Sequence, residues 1–389
     1  MHELLRVLFL VDARVKLTNE TLLGIAEYVK ISRSWLIEKD ISHYLIHAQY
    51  HTKDLRERQF DGVVCLCLSV DQEPLIRTII DLHVPVLARG INMPIPGAIN
   101  IITDNVLISE MAADHLLTLG LNHFAFFGVE SLTWSRQRRN AFKSKIAQAG
   151  NDVHIFEFTS TEKRFHRGAN IERLLDWLTQ LPKPIGVMAC NDDFGLMLLQ
   201  CCQIGKISVP EELAVIGVDN DETVCNLCVP PLSSVARDAQ KAGFEGARIF
   251  DRKMRGKPVG KNEVVIKSTH IETRQSTDML AIKDTDVIEA LQFMRKNILY
   301  NTGVDDVIAE VSVSRRNLDH KFTRILGRTV HEEITRMRIE KICELLTLTN
   351  LPISQIASDC GFHNPAQLGN YFLRHKGVSP GQYRKQHLL

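Results

Sequence analysis

The chain has 389 residues, room for roughly two to three domains at about 150 residues each. Its 44% hydrophobic and 24% charged residues are the mix of an ordinary globular chain, which excludes a disordered tail, a collagen-like fibre and a disulfide miniprotein. A net charge of +1, from 47 Lys and Arg against 46 Asp and Glu, excludes a wholly basic packaging protein but hides any local excess.

The first apolar run, residues 7–11, stops at Asp12. It is too short and too soon charged for a secretory signal. The longest apolar run, 63–70, falls far below the ~20 residues of a membrane helix. These features predict a cytoplasmic location and no membrane partner. Further strand-like runs follow at 62–68, 85–87, 101–103, 123–127, 154–158, 186–189 and 213–218. Amphipathic stretches lie between them at 19–31, 106–119, 135–149, 171–180, 194–202 and 238–254. Strands alternating with helices predict βαβ units on parallel sheets. Continuous apolar runs such as Val63-Val64-Cys65-Leu66 suit a sheet covered on both faces. So many units fit two smaller α/β lobes better than one large sheet. Nine cysteines include the pair Cys225 and Cys228 in a C-x-x-C. No second cysteine or histidine pair follows at zinc spacing, so structural thiols in a reducing compartment are expected, without a metal.

The pattern changes after Arg274. A polar stretch leads to a segment that reads as helical to the end, which predicts a linker at 278–285 and an all-α domain at 286–389. Residues 311–389 hold twelve Lys and Arg against six Asp and Glu, whereas the preceding 310 residues hold 35 against 40. A basic end on an acidic body points to nucleic acid at that end. On charge alone, a solvated helical surface fits equally.

The basic segment repeats itself. Leu318 and Leu368, Phe322 and Phe372, Arg324 and Arg374, and Gly327 and Gly377 are each 50 residues apart. Ile308-Ala309 and Ile356-Ala357 are 48 apart, so the second copy has the longer turn. Each copy reads as a short helix, a tight turn and a second helix with apolar residues four apart, the helix-turn-helix pattern. Gly361 suits a turn residue with positive φ. With Leu318, Phe322 and Ile325 facing inward, the opposite face presents Arg315, Arg316, Asp319 and His320. The second copy presents Pro365, Ala366, Gln367 and Asn370. Arginine can read guanine, and glutamine or asparagine can read adenine, in a major groove that admits one helix. Two such units could enter successive grooves ~34 Å apart.

Residues 284–389 resemble the DNA-binding domain of AraC-type transcription regulators. The match runs through Pro352-Ile-Ser-Gln-Ile-Ala-Ser-Asp-Cys-Gly-Phe362, Tyr371-Phe372, Gly377-Val-Ser-Pro380 and Tyr383-Arg384. The resemblance places the units at about 304–326 and 352–375. It implies base reading by Arg316, Asp319 and His320, then by Gln367 and Asn370. Asp319 could accept from cytosine or pair with a neighbouring arginine. Arg324, Arg374 and Lys376 suit phosphate contacts.

Residues 5–277, within an expected first domain of 1–277, resemble the sugar-sensing core of LacI-type regulators, itself similar to periplasmic sugar-binding proteins. Thr103-Asp-Asn105, Phe127-Gly128, Ala189-Cys-Asn-Asp192, Val215-Ile-Gly-Val-Asp-Asn-Asp-Glu222, Pro230-Pro-Leu-Ser-Ser-Val235 and Glu272-Thr-Arg-Gln-Ser-Thr277 carry the likeness. It implies a two-lobed periplasmic-binding-protein-like α/β domain with crossovers near 104, 233 and 267. Asp12, Asn191 and Asp219 directly follow apolar strands, where α/β ligands bind. Carboxylates and amides pair with sugar hydroxyls, and an aromatic face covers C–H surface. The resemblance places the pocket arginine at Arg138, the asparagine at Asn191 and the aspartate at Asp219. Asp12 and Asp104 lie at matching strand ends, and Trp134 is a stacking candidate. Asp12, Asp104 and Asp192 would equally serve as helix N-caps, and Trp134 as packing. Arg136 and Arg139 lie close enough to exchange roles with Arg138.

LacI-type proteins place a helix-turn-helix before the sensor, but here the first strand starts near residue 7. DNA binding has moved to the other end. This order resembles AraC-type activators of sugar operons and implies D-xylose or a related pentose as ligand. It also implies double-stranded DNA half-sites, a homodimer, RNA polymerase as a further partner, and no cofactor. Competing readings are a sugar carrier or receptor without a transcription role, and a repressor answering a different sugar. An enzyme finds no support: G-x-G-x-x-G, P-loop, G-x-S-x-G and H-E-x-x-H motifs are absent from the sequence.

Overall fold

The computed structural model describes residues 4–11, 16–39, 59–68, 79–90, 94–159, 167–260, 262–278, 284–298, 302–349 and 351–387. Asp12 lies outside them. The chain forms two units, Met1–Met279 and Leu280–Leu389. Among the described residues, no helix is long and apolar enough to cross a membrane.

The first unit contains two six-stranded sheets. One holds β1 (Leu5–Val11), β2 (Trp35–Lys39), β3 (Gly62–Leu68), β4 (Val86–Gly90), β5 (Ile99–Thr103) and β11 (Glu263–Ile266), all parallel, in the order β11-β5-β4-β3-β1-β2. The other holds β6 (Phe124–Val129), β7 (Val153–Phe158), β8 (Ile185–Ala189), β9 (Leu213–Val218), β10 (Ser233–Arg237) and β12 (Ser268–Glu272). Its order is β12-β10-β9-β8-β6-β7, and only the β10–β12 pair is antiparallel. The two-lobed α/β class is therefore as the sequence predicts.

Each sheet is covered on both faces, and strand alternation decides which face a residue serves. Phe124 and Phe126 of β6 enter one core of the second lobe, while Ala125 and Phe127 enter the other. Val7 and Phe9 likewise part from Leu8 and Leu10 across β1. Among the described residues, the covering helices are α1 (Lys16–Ser32), α2 (Asn105–Thr118), α3 (Thr133–Gln148), α4 (Arg167–Gln180), α5 (Asp192–Ile204), α6 (Glu222–Leu227) and α7 (Ala239–Met254). α1 lies directly against α7: a Cβ on Gly24 would sit 1.8 Å from the Gln240 carbonyl oxygen.

The chain crosses between sheets after β5, after β10 and at Lys267. The second crossing therefore falls at Asp238 rather than at 233. β10 is not among the strand-like runs of the sequence: its Ser233 and Ser234 are polar, yet both are fully buried. Each is satisfied: Ser233 Oγ donates to the Arg274 carbonyl at 2.9 Å, and Ser234 Oγ to Asp192 at 2.6 Å. β2 was missed for a different reason. It is an edge strand whose Leu36 and Ile37 are exposed, so it has no clean alternation.

The second unit is all-helical: α8 (Thr285–Asn297), α9 (Val304–Glu310), α10 (Arg315–Leu326), α11 (Val330–Leu348), α12 (Ile353–Asp359), α13 (Pro365–Lys376) and α14 (Pro380–His387). α11 serves two cores. Val330, Ile334 and Met337 pack with α8, α9 and α10, while Ile339, Ile342 and Leu346 pack with α12 and α13. The repeat is thus two helix-turn-helix units, α9–α10 and α12–α13, on one shared helix. Gly361, in the second turn, has φ 74°. Glu333 of α11 is 1% exposed yet ionic. Burial pushes its carboxyl up, but Arg336 at 2.7 Å and Arg328 more than reverse that, so it is held below its ordinary value.

Candidate functional site

In the first unit, parallel strands from both sheets deliver polar residues at their carboxyl ends: Arg89 and Asp104 in the first lobe, Asn191, Asp219 and Arg237 in the second. Arg138, on the second turn of α3, is only 3% exposed. Its Nε donates to Asn105 Oδ1 at 2.9 Å and its Nη1 to the Cys190 carbonyl at 2.5 Å. The same Nη1 lies 3.9 Å from Asp219 Oδ1. Its guanidinium carbon sits 4.9 Å over the Trp134 ring, within cation–π range. Burial lowers the Arg138 pKa to about 10, Arg237 adds to that, and Asp219 opposes it. Arg138 therefore stays charged at neutral pH.

Asp219 is held at φ 114°, a backbone region that side chains rarely adopt. Its carboxylate pairs with Arg237 as well as Arg138. Charge proximity does not give aligned hydrogen bonds here: Asp219 Oδ1 and Arg237 Nε are buried without one. A buried acceptor and a buried donor so placed suit a hydroxyl that both donates and accepts. Across the cleft, Lys16 at the start of α1 donates to the backbone carbonyls of Asp219, at 3.5 Å, and Asn220.

Asp192 is 2% exposed and accepts from Ser234 Oγ at 2.6 Å and from the Asp221 N–H at 2.7 Å. Burial, then the Asp219 charge, raises its pKa to about 7. Because this lies above the ordinary 3.8, the stabilising contribution is complete below that value and is lost as pH rises through about 7. Wild-type protein is expected to melt lower at pH 8 than at pH 6, and Asp192→Asn is expected to flatten the difference. Equal slopes in the two melting series would refute the assignment.

The structure brings Trp134, Arg138 and Asp219 together. Asp104 and Asn191 act as helix N-caps: their Oδ1 atoms accept from Leu107 N and Phe194 N, each at 3.0 Å. Neither makes a direct bond to Arg138 or Asp219 among the described contacts, though their chain neighbours Asn105 and Cys190 hold Arg138. Arg139 is turned to Glu157 at 2.5 Å and Arg136 to the Glu130 carbonyl at 2.6 Å, so Arg138 alone of the three arginines reaches the cleft. Sequence reasoning missed Asn105, Arg237 and Lys16. Asn105 stood beside Asp104 in a motif already singled out. Arg237 ends a strand that was not recognised. Lys16 carries no local signal.

In the helical unit, Leu318 with Phe322 and Leu368 with Phe372 are fully buried. This turns Arg315, Arg316 and His320 of α10, and Gln367, Asn370, Arg374 and Lys376 of α13, to the exposed side. Of the two expectations for Asp319, the structure shows the pairing with a neighbouring arginine. Its Oδ1 accepts from the Val330 N–H at 3.1 Å, capping α11, and its Oδ2 lies 3.9 Å from Arg315. Gln367 Oε1 accepts from the His363 N–H at 2.9 Å, which leaves its amide donor for other partners. Arg324 lies 3.8 Å from Asp284, whose other oxygen accepts from Lys321 at 2.8 Å.

A periplasmic binding protein-like domain model matches residues 113–277, and a helix-turn-helix domain model matches residues 307–386. The xylose operon regulatory protein of Escherichia coli is 29% identical over 389 aligned positions, covering 97% of this chain and 96% of that one. That of Haemophilus influenzae is 27% identical over 387, covering 97% and 98%. A solved structure of a xylose-binding transcription activator superposes with a TM-score of 0.81 at 27% identity, over 100% of this chain and 99% of the other. The sensor unit also shares its fold with a cellobiose complex of the transcriptional regulator CelR, at TM-score 0.55 and 21% identity over 71% of this chain and 85% of that one.

Proposed function

We infer that this chain, in which a periplasmic binding protein-like domain precedes an AraC-type helix-turn-helix domain, is a sugar-responsive transcription regulator. The observation that carries this is colinearity: sensor and DNA reader align in the same order with xylose operon regulators over 97% of the chain. D-xylose is the first ligand of this reading, with related pentoses next. Sugar between the lobes closes them on Arg138, Asp219 and Arg237, which shifts a pre-existing open–closed equilibrium. The exposed residues of α10 and α13 enter successive major grooves, with Arg374 and Lys376 on phosphates. We further propose a homodimer on paired half-sites that activates transcription with RNA polymerase. No catalytic role is part of this reading.

A thermal-shift screen of the whole protein over D-xylose, L-arabinose, D-ribose and D-glucose tests it. At a hundredfold excess over Kd, a ligand stabilises by about 2.7 kcal/mol. D-xylose is expected to raise the melting temperature most. A flat response to every sugar would overturn the reading.

A further inference from the structure

The turn formed by Asp219 and Asn220 is a junction of three systems. Both residues hold left-handed backbone, with φ 114° and 47°. The Asp219 side chain faces Arg138 and Arg237 in the cleft. The two backbone carbonyls receive Lys16 from the opposite lobe. The Asn220 side chain points elsewhere: its Oδ1 accepts from Arg274 Nη2 at 2.8 Å.

Arg274 belongs to the segment by which the chain leaves the sensor. Its other guanidinium nitrogen donates to the Leu232 carbonyl at 2.9 Å, and its backbone N–H to Ser233 Oγ at 2.7 Å. The next residues are tied to the same strands. Ser276 Oγ donates to the Val215 carbonyl at 2.6 Å and accepts from the Ser233 N–H at 2.8 Å. Thr277 Oγ1 donates to Ser233 Oγ at 2.7 Å. Among the described residues, the exit segment is therefore fixed to β9 and β10, and Arg274 links it to the cleft turn.

Resting on the sugar-responsive reading above, we propose that the Asn220–Arg274 hydrogen bond carries the state of the cleft to the segment leading to the DNA-binding unit. Arg274 is a positioning residue in this scheme and touches no ligand. A ligand that engages Asp219 and draws the lobes together loads the turn from two sides. The planar guanidinium holds Asn220 and the Leu232 carbonyl in fixed directions. A shift of the turn must therefore move the exit segment or break the bond.

The test uses the full-length protein, a duplex it selects from random sequence, and D-xylose, L-arabinose and D-ribose as probes. In wild type, the effective sugar is expected to change duplex affinity by a factor of about 5–150, the usual span of such coupling. Asn220→Gly removes only the side chain, and glycine accepts its positive φ. Arg274→Met removes the same bond from the other side. Each is expected to cut the sugar-dependent factor to under about twofold, with sugar Kd and sugar-free duplex affinity kept within about threefold of wild type. The double variant is expected to lose nothing more, since both substitutions delete one interaction. Should Arg274→Met fail to fold, Asn220→Gly decides alone. A folded variant with the wild-type factor overturns the proposal while leaving the regulator reading intact. A wild-type duplex affinity that ignores all three sugars overturns both.

Discussion

Asp219→Ala is expected to cost the protein its sugar response and much of the sensor's stability together. The carboxylate lies between Arg138 and Arg237, whose side chains are 4% and 3% exposed. Deleting it leaves two buried guanidiniums facing each other. Stranding a buried charge costs about 3–5 kcal/mol. Alanine must also hold the backbone at φ 114°, without the charge pairing that keeps aspartate there. Under the proposed function, the same deletion removes the buried acceptor that would meet a sugar hydroxyl. A site built to pair hydroxyls fails once its own polar groups have no counterpart. Sugar-free DNA binding is expected to persist, because the second unit folds around its own two cores. Thermal melts with and without D-xylose, paired with a DNA titration, read all three effects. An unchanged sugar titration would place the ligand elsewhere. Asp219→Asn refines the result: it keeps the shape and one acceptor oxygen, so its loss isolates the role of charge.

The parts of this fold that were legible in the sequence are those governed by local periodicity. β6 and β9 read as strands because every residue is apolar and every second one serves the same core. The two helix-turn-helix units read clearly because Leu318, Phe322, Leu368 and Phe372 repeat at fixed spacing and are all fully buried. What escaped was set by distant partners. β10 was hidden because Ser233 and Ser234 are polar, and their burial depends on Arg274 and Asp192, about 40 residues away. Arg237 was lost with that strand. Lys16 meets its carbonyl acceptors only because the lobes face each other, 203 and 204 residues along the chain. Asp319 was placed by its helical face and by resemblance, and both are blind to the Val330 N–H one turn beyond the helix end. The buried Arg138–Asp219 pair is a partial exception. Both residues were placed by resemblance, Asp219 also by its position after a strand, but their meeting is a tertiary fact.

The DNA-binding unit yields the sharpest specificity prediction, at Arg316. It is the second residue of α10, exposed, and without a hydrogen bond or ion pair among the described residues. Its neighbours differ. Arg315 lies 3.7 Å from Asp305 and 3.9 Å from Asp319, and Arg324 lies 3.8 Å from Asp284. An unengaged guanidinium near the start of a reading helix is the one able to turn its fork to a guanine edge, and a good bidentate contact discriminates by about 1–3 kcal/mol. Arg316→Ala is therefore expected to weaken binding to the selected duplex about 5–150-fold. Binding to a scrambled duplex should change far less, and sugar binding not at all. Arg374→Ala supplies the contrast. A phosphate contact has no sequence content, so that variant is expected to weaken both duplexes alike and to flatten the salt dependence by about 0.9 in the log–log slope. Anisotropy titrations on both duplexes at several salt concentrations separate the two roles. Equal loss on selected and scrambled DNA in Arg316→Ala would assign Arg316 to the phosphate backbone. Base reading by α10 would then rest on Arg315 and His320, with Asp319 already committed to the first turn of α11.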